Sequence, residues 1–310
     1  MGMIPAAEPG RAAPASGQIA AMVRLARPYQ WVKNGLIFAA LIFARRLFFA
    51  RDVALAVLAF IDFCALSSAA YVVNDILDRD ADQHHPDKRN RPIASGEVSV
   101  DTAWKMAAVL GASSLVVAVG FGRGYLGIVA AYIVLQAAYS AWAKHHVVID
   151  VIAIAVGFVL RAFAGGVAIG VPVSPWLVFI TFVLALFLAL ARRRHELTSL
   201  GDAADSHRGA LSYYSVRLID QMISVVAGAT LVGYMIYTAS PEVAAKLHTP
   251  YLYLTVPFVA FGILRYLYLI EERDLGGDPA FVLLHDWPLI IAVCLWVLTD
   301  VLLLYLLATP

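Results

Sequence analysis

The run VALAVLAFIDFCALSSAAYVV, residues 53–73, decides the fold: it carries one charge, Asp62, and neither proline nor glycine. As a helix rising 1.5 Å per residue it reaches about 31 Å, the thickness of a bilayer's hydrocarbon core. Runs of similar length stand at 217–238 and 287–308. Across all 310 residues, 61% are hydrophobic and 15% charged, and the mean hydropathy is +0.77. Soluble domains run nearer half apolar and a quarter charged. The sequence is that of an all-α, polytopic membrane protein. Residues 1–20, rich in Ala, Pro and Gly, are expected to be disordered, and 21–310 to form a single transmembrane domain. No apolar signal core follows a basic start, and Ala6 stands where a myristoylation motif needs Ser or Thr. A net charge of +1 offers nothing to nucleic acid. Cys64 and Cys294 sit inside apolar runs as small hydrophobes.

Nine spans are expected, at about 31–45, 53–77, 103–120, 124–141, 148–170, 174–191, 217–238, 250–270 and 287–308. Their connections carry 16 Lys and Arg on the N-terminal side of the membrane and 5 on the other. That bias places the N-terminus in the cytoplasm, and every polar segment below falls on that face.

Running out of the second span, residues 71–93 read YVVNDILDRDADQHHPDKRNRPI. Asp75, Asp78 and Asp82 stand at i, i+3 and i+7, within an arc of about 60° on a helix, while Asp80 points away. Three carboxylates on one stripe repel one another unless a cation sits among them, and a hard divalent ion such as Mg²⁺ bridging to phosphates answers that need. Lys88, Arg89 and Arg91 follow within ten residues and suit phosphate oxygens. Carboxylates for a metal beside cations for phosphate make a diphosphate site; the bland alternative is a solvated, mixed-charge loop. An EF-hand is excluded, because Gln83 stands where glycine is required and Arg89 where the bidentate glutamate belongs.

The other cytoplasmic clusters are less specific alone. RPYQWVKN (27–34) reads first as an interfacial anchor through Trp31 and Lys33. YSAWAKHHVVID (139–150) supplies Lys144 and a helix-start Asp150, and its adjacent histidines point in different directions, a poor metal pair. In RRRHEL (192–197), the arginines serve as a topology signal, and Glu196 either holds a metal-bound water or pairs with an arginine. Arg161 and Asp62 lie at similar depth, so Arg161 either forms an ion pair with Asp62 or receives an anionic substrate group.

NDxxDxxxD followed by an RP pair resembles the first aspartate motif of the UbiA-type intramembrane prenyltransferase superfamily. Together with RPYQWVKN, YSAWAKHHVVID, GFVLRAFAGG (157–166), RRRHEL, GGDP (276–279) and LLHDWP (283–288), it is most similar to the branch that moves phosphoribosyl groups. The resemblance implies nine helices around a cytoplasm-facing cavity in a bacterial plasma membrane, and transfer of 5-phosphoribosyl from phosphoribosyl pyrophosphate to a polyprenyl phosphate as a step toward envelope arabinosyl donors. It implies Mg²⁺ on Asp75, Asp78 and Asp82; donor phosphates on Lys33, Lys88, Arg91 and Lys144, with Asn74 orienting the metal shell or the ribose; and the acceptor phosphate on Arg193 and Arg161. The wider superfamily carries a second acidic motif after the sixth span. Here Arg192–Arg194 replace it, which suits an anionic acceptor. An aromatic prenyltransferase using a polyprenyl diphosphate is the rival enzyme, and a lipid carrier the rival of another class. A homo-oligomer is compatible with the sequence, and membrane lipid is the medium throughout.

Overall fold

The computed structural model describes residues 15–84, 88–200, 214–273 and 275–307, all of which are helical or in connections. Among these residues, eight helical stretches are long and apolar enough to cross a membrane. The helices are α1 (Ala15–Ala26), α2 (Ile37–Phe43), α3 (Ala50–Leu77), α4 (Arg79–His84), α5 (Val100–Phe121), α6 (Arg123–Ala141), α7 (Ile149–Ala168), α8 (Pro175–Leu200), α9 (Val216–Ala239), α10 (Pro241–Leu247), α11 (Val256–Arg273), α12 (Pro279–His285) and α13 (Trp287–Val301), the last continued by a π-helical turn at Leu302–Leu306.

Two boundaries differ from the sequence expectation. Helix α1 begins at Ala15, inside the stretch 1–20 expected to be unstructured; residues 1–14 lie outside the described ones. The expected first span, 31–45, is a 3₁₀ stretch at Pro28–Leu36 followed by the seven residues of α2. This segment is not among the eight stretches long and apolar enough to cross a membrane.

The chain divides into two compact units. The smaller comprises 1–28 and 65–112: α1, the second half of α3, α4, the loop to residue 99 and the first half of α5. Its core is Leu25, Val72, Ile93, Val98 and Ala103 with neighbouring alanines. The larger comprises 29–64 and 113–310. There α7 presents an almost unbroken face of Ala and Gly with Asp150 and Arg161 set into it, because small residues let membrane helices approach until their backbones touch. Gly165 is the tightest case: a Cβ there would lie 2.0 Å from the Ile37 carbonyl oxygen of α2.

Candidate active site

In the smaller unit, α3 stops at Leu77 and α4 starts at Arg79, yet the helical ladder passes through the junction. The Asp78 N–H donates to the Asn74 carbonyl at 2.9 Å and the Asp82 N–H to the Asp78 carbonyl at 2.8 Å. The stripe therefore survives: Asp75 and Asp82 are buried, Asp78 half-buried and Asp80 exposed. The expected cation among the carboxylates is supplied by the chain itself. Arg91 Nη1 donates to Asp75 Oδ1 at 3.0 Å and to Asp82 Oδ2 at 2.6 Å. Arg27 Nη2 donates to both Asp75 oxygens, at 2.6 and 2.8 Å. Asn74 Nδ2 donates to Asp78 Oδ2 at 2.9 Å. Arg91 is seated by its neighbour Ile93, 1% exposed in the core of this unit, and its N–H is bonded to the carbonyl of Lys88 in the turn Lys88–Asn90.

Arg27 did not stand out in the sequence. It ends α1 in a left-handed conformation (φ 53°), with Ser68 of α3 donating to the Ala26 carbonyl at 2.8 Å and its own guanidinium 5.4 Å from the Tyr71 ring centre. Burying Asp75 beside two arginines is stable only while those partners stay, since removing one from a buried pair typically costs about 3–5 kcal/mol.

Among the described residues the three aspartates do not converge on one point. The donor set nevertheless fits a hard divalent ion. Asp75 and Asp82 are close enough to share one arginine nitrogen, and Mg²⁺ usually takes one or two carboxylates and completes its shell with water and substrate phosphates.

Lys33, Lys144, Arg161 and Arg193 belong to the larger unit. Arg193, 1% exposed, donates to Asp150 at 2.6 Å, to Tyr139 at 3.0 Å and to Glu196. Helix α8 runs two turns beyond its expected end at 191, which brings Glu196 into i, i+3 and i, i+4 reach of Arg193 and Arg192. So Glu196 pairs with arginines. Arg194 pairs with Asp220 and Glu271. Tyr214 donates to Asp150 at 3.1 Å and accepts the Val148 N–H at 2.6 Å. Burial, with Asp150 alongside, pushes its hydroxyl up to about 12.

The postulated Arg161–Asp62 ion pair does not form. Arg161 donates to Asn34 at 2.7 Å, to the Gly157 carbonyl at 2.7 Å and to Tyr132 at 2.9 Å, under the faces of Tyr132 and Phe158. Asp62 accepts instead from Tyr125 at 2.9 Å. Equal depth along two helices is no guarantee of equal azimuth. Helix α6 fills the gap: Tyr125, Tyr132 and Tyr139 recur every seven residues on one face, about 10.5 Å apart, and their hydroxyls meet Asp62, Arg161 and Arg193 in turn. That heptad of tyrosines was visible in the sequence and is the signal that was missed.

The GGDP segment lies against the end of α8. A Cβ on Gly276 would stand 2.8 Å from the Ala191 carbonyl oxygen, so the approach requires glycine. Asp278 then caps α12 through the Ala280 N–H (3.0 Å) and accepts from Gln30 Nε2 at 2.6 Å. Next to this lies a cavity of about 650 Å³ within the larger unit, walled largely by apolar side chains; Lys33 and Tyr266 are among its lining, with Arg45 and Arg46 from the far end of α2.

Buried carboxylates clasped by arginines at the end of a membrane-length helix mark an integral membrane protein that handles charged groups at that helix end. The pattern of the UbiA prenyltransferase family matches residues 35–287, and the chain belongs to that family. It is 33% identical to the decaprenyl-phosphate phosphoribosyltransferase of Mycolicibacterium smegmatis over 92% of this chain and 93% of the relative. It is 32% identical to the protein of the same name from Corynebacterium glutamicum, over 92% and 87%. The fold is that of a UbiA homologue from Archaeoglobus fulgidus bound to DMAPP and Mg²⁺, with a TM-score of 0.69 and 20% identity over 92% of this chain and 99% of the other.

Proposed function

We propose that the protein transfers a 5-phosphoribosyl group from phosphoribosyl pyrophosphate to a polyprenyl phosphate of decaprenyl type, releasing pyrophosphate, at the cytoplasmic face of a bacterial plasma membrane. The observation that carries this reading is the Asp75–Arg91–Asp82 cluster with Arg27: carboxylates for a divalent ion and guanidinium groups for phosphate oxygens in one place. The likeness to two phosphoribosyltransferases over most of the chain supports it. Mg²⁺, when bound, supplies charge neutralisation for a departing pyrophosphate. Asp75, Asp78 and Asp82 would hold it. Arg91 and Lys88 bind the donor's phosphates, Lys33 and Lys144 being the further cations assigned to them, and Asn74 fixes Asp78. The acceptor phosphate is an anion at neutral pH, so no general base is needed. Arg161 and Arg193 are assigned to the acceptor side. Both are engaged by protein groups, so Arg193 reaches a phosphate by trading Glu196, its least buried carboxylate partner at 16% side-chain exposure.

The test is detergent-purified protein with Mg²⁺, a polyprenyl phosphate and radiolabelled phosphoribosyl pyrophosphate. Label entering the organic phase, and lost with EDTA, is the expected result. No label, with prenyl transfer to an aromatic acid instead, overturns the substrates while keeping the family.

A further inference from the structure

Tyr266 of α11 is 4% exposed, lines the cavity, and has a hydroxyl with no hydrogen-bond partner among the described residues. A buried hydroxyl without a partner is unfavourable, and phenylalanine would fill the same space without that penalty. Its ring packs edge-on against Phe187 at 5.5 Å, on the apolar side of the cavity. Its oxygen lies within electrostatic reach of Asp278 and Arg192. Neither completes it: Asp278 is taken up by Gln30 and the Ala280 N–H, and Arg192 Nε by Glu196 at 3.3 Å.

The 3₁₀ stretch shows which end of the cavity this is. With three residues per turn, positions i and i+3 eclipse, so Gln30, Lys33 and Leu36 form one row. Gln30 is pinned to Asp278, and Lys33 and Leu36 line the cavity. One end of this largely apolar cavity thus carries Lys33 on one wall and an unused hydroxyl donor on another, while Arg45, Arg46 and Lys246 line it elsewhere. An amphiphile with an anionic head at the Tyr266 end and a hydrocarbon tail along the apolar walls fits that lining.

We infer that the Tyr266 hydroxyl donates a hydrogen bond to the phosphate of the polyprenyl phosphate whose tail enters the cavity, and that it favours the lipid phosphate over the free lipid alcohol. This rests on the proposed acceptor. A hydrogen bond to a charged oxygen is roughly twice as strong as one between neutral groups, which is the source of the preference.

The experiment measures binding of farnesyl phosphate and of farnesol to the detergent-purified full chain and to Tyr266→Phe, together with both melting temperatures. Wild type is expected to prefer farnesyl phosphate. Tyr266→Phe is expected to bind it at least about tenfold more weakly, to bind farnesol unchanged, and to melt no lower than wild type. Equal binding of farnesyl phosphate by both proteins overturns the inference and leaves the lipid-phosphate acceptor standing. Equal weakening toward both ligands, or a lower melting temperature, also overturns it, by making the hydroxyl structural. A wild type with no preference for the phosphate overturns the acceptor reading along with it.

Discussion

Arg91 holds two buried carboxylates with a single nitrogen, so whatever replaces it must bring positive charge. In Arg91→Met, Asp75 and Asp82 face each other with only Arg27 to compensate. Stability is expected to fall by about 3 kcal/mol without divalent ions, and millimolar MgCl₂ is expected to recover part of it. Thermal melts with and without MgCl₂ read this directly; a variant as stable as wild type, or indifferent to magnesium, would remove the two carboxylates from the metal role. Asp78 is the complementary case. It is half-buried and accepts from Asn74 Nδ2, and Asn at 78 can still accept that bond. Asp78→Asn is therefore expected to fold normally while phosphoribosyl transfer drops by about a hundredfold or more. Unchanged Mg²⁺-dependent turnover at an unchanged melting temperature sinks that assignment.

At the scale of elements, helix periodicity explains both what was legible and what was not. The spacing of Asp75, Asp78 and Asp82 fixed a single face because one continuous ladder runs from α3 into α4. The spans from α3 to α13 fall within a few residues of their apolar runs, apart from the polar turns of α8, which hydropathy truncates at 191. Partners drawn from different helices were not legible. Asp62 and Arg161 share a depth but not a direction, and Arg27 reaches Asp75 across forty-eight positions of sequence. Packing geometry of this kind is set by small residues, and Gly165→Ala tests it. Its Cβ would meet backbone at Ile37 rather than a yielding side chain, so overpacking is expected to cost about 1–3 kcal/mol, read as a lower melting temperature. The start of α7 offers a pH-dependent counterpart. Tyr214 is held protonated to about 12 by burial, above the ~10 of an unfolded tyrosine. Its contribution is complete below about pH 10 and disappears as pH rises through 12. Melting temperatures of wild type and Tyr214→Phe are expected to differ at neutral pH and converge across that alkaline range; a constant gap counts against the Asp150–Tyr214 contact.

For the whole molecule, orientation joins the charge pattern to the chemistry. Lys and Arg divide 16 to 5 between the two faces expected from the spans, and loops rich in Lys and Arg stay in the cytoplasm. The exposed Asp80 beside the carboxylate stripe lies on the richer side; the exposed Glu242 in α10 lies on the poorer side. A water-soluble, phosphorylated sugar donor cannot cross the bilayer unaided, so the aspartate stripe can meet it only if that stripe faces the compartment where the donor is made. The chain has only two cysteines, so Cys64→Ala with Cys294→Ala gives a background for single-cysteine labelling. A membrane-impermeant thiol reagent applied to intact cells is expected to modify Glu242→Cys and to spare Asp80→Cys until the cells are opened. The reverse pattern would turn the aspartates outward, away from any nucleotide-derived or pyrophosphorylated donor of the cytosol. The metal and diphosphate chemistry of the stripe would then need a substrate drawn from the membrane or from outside the cell.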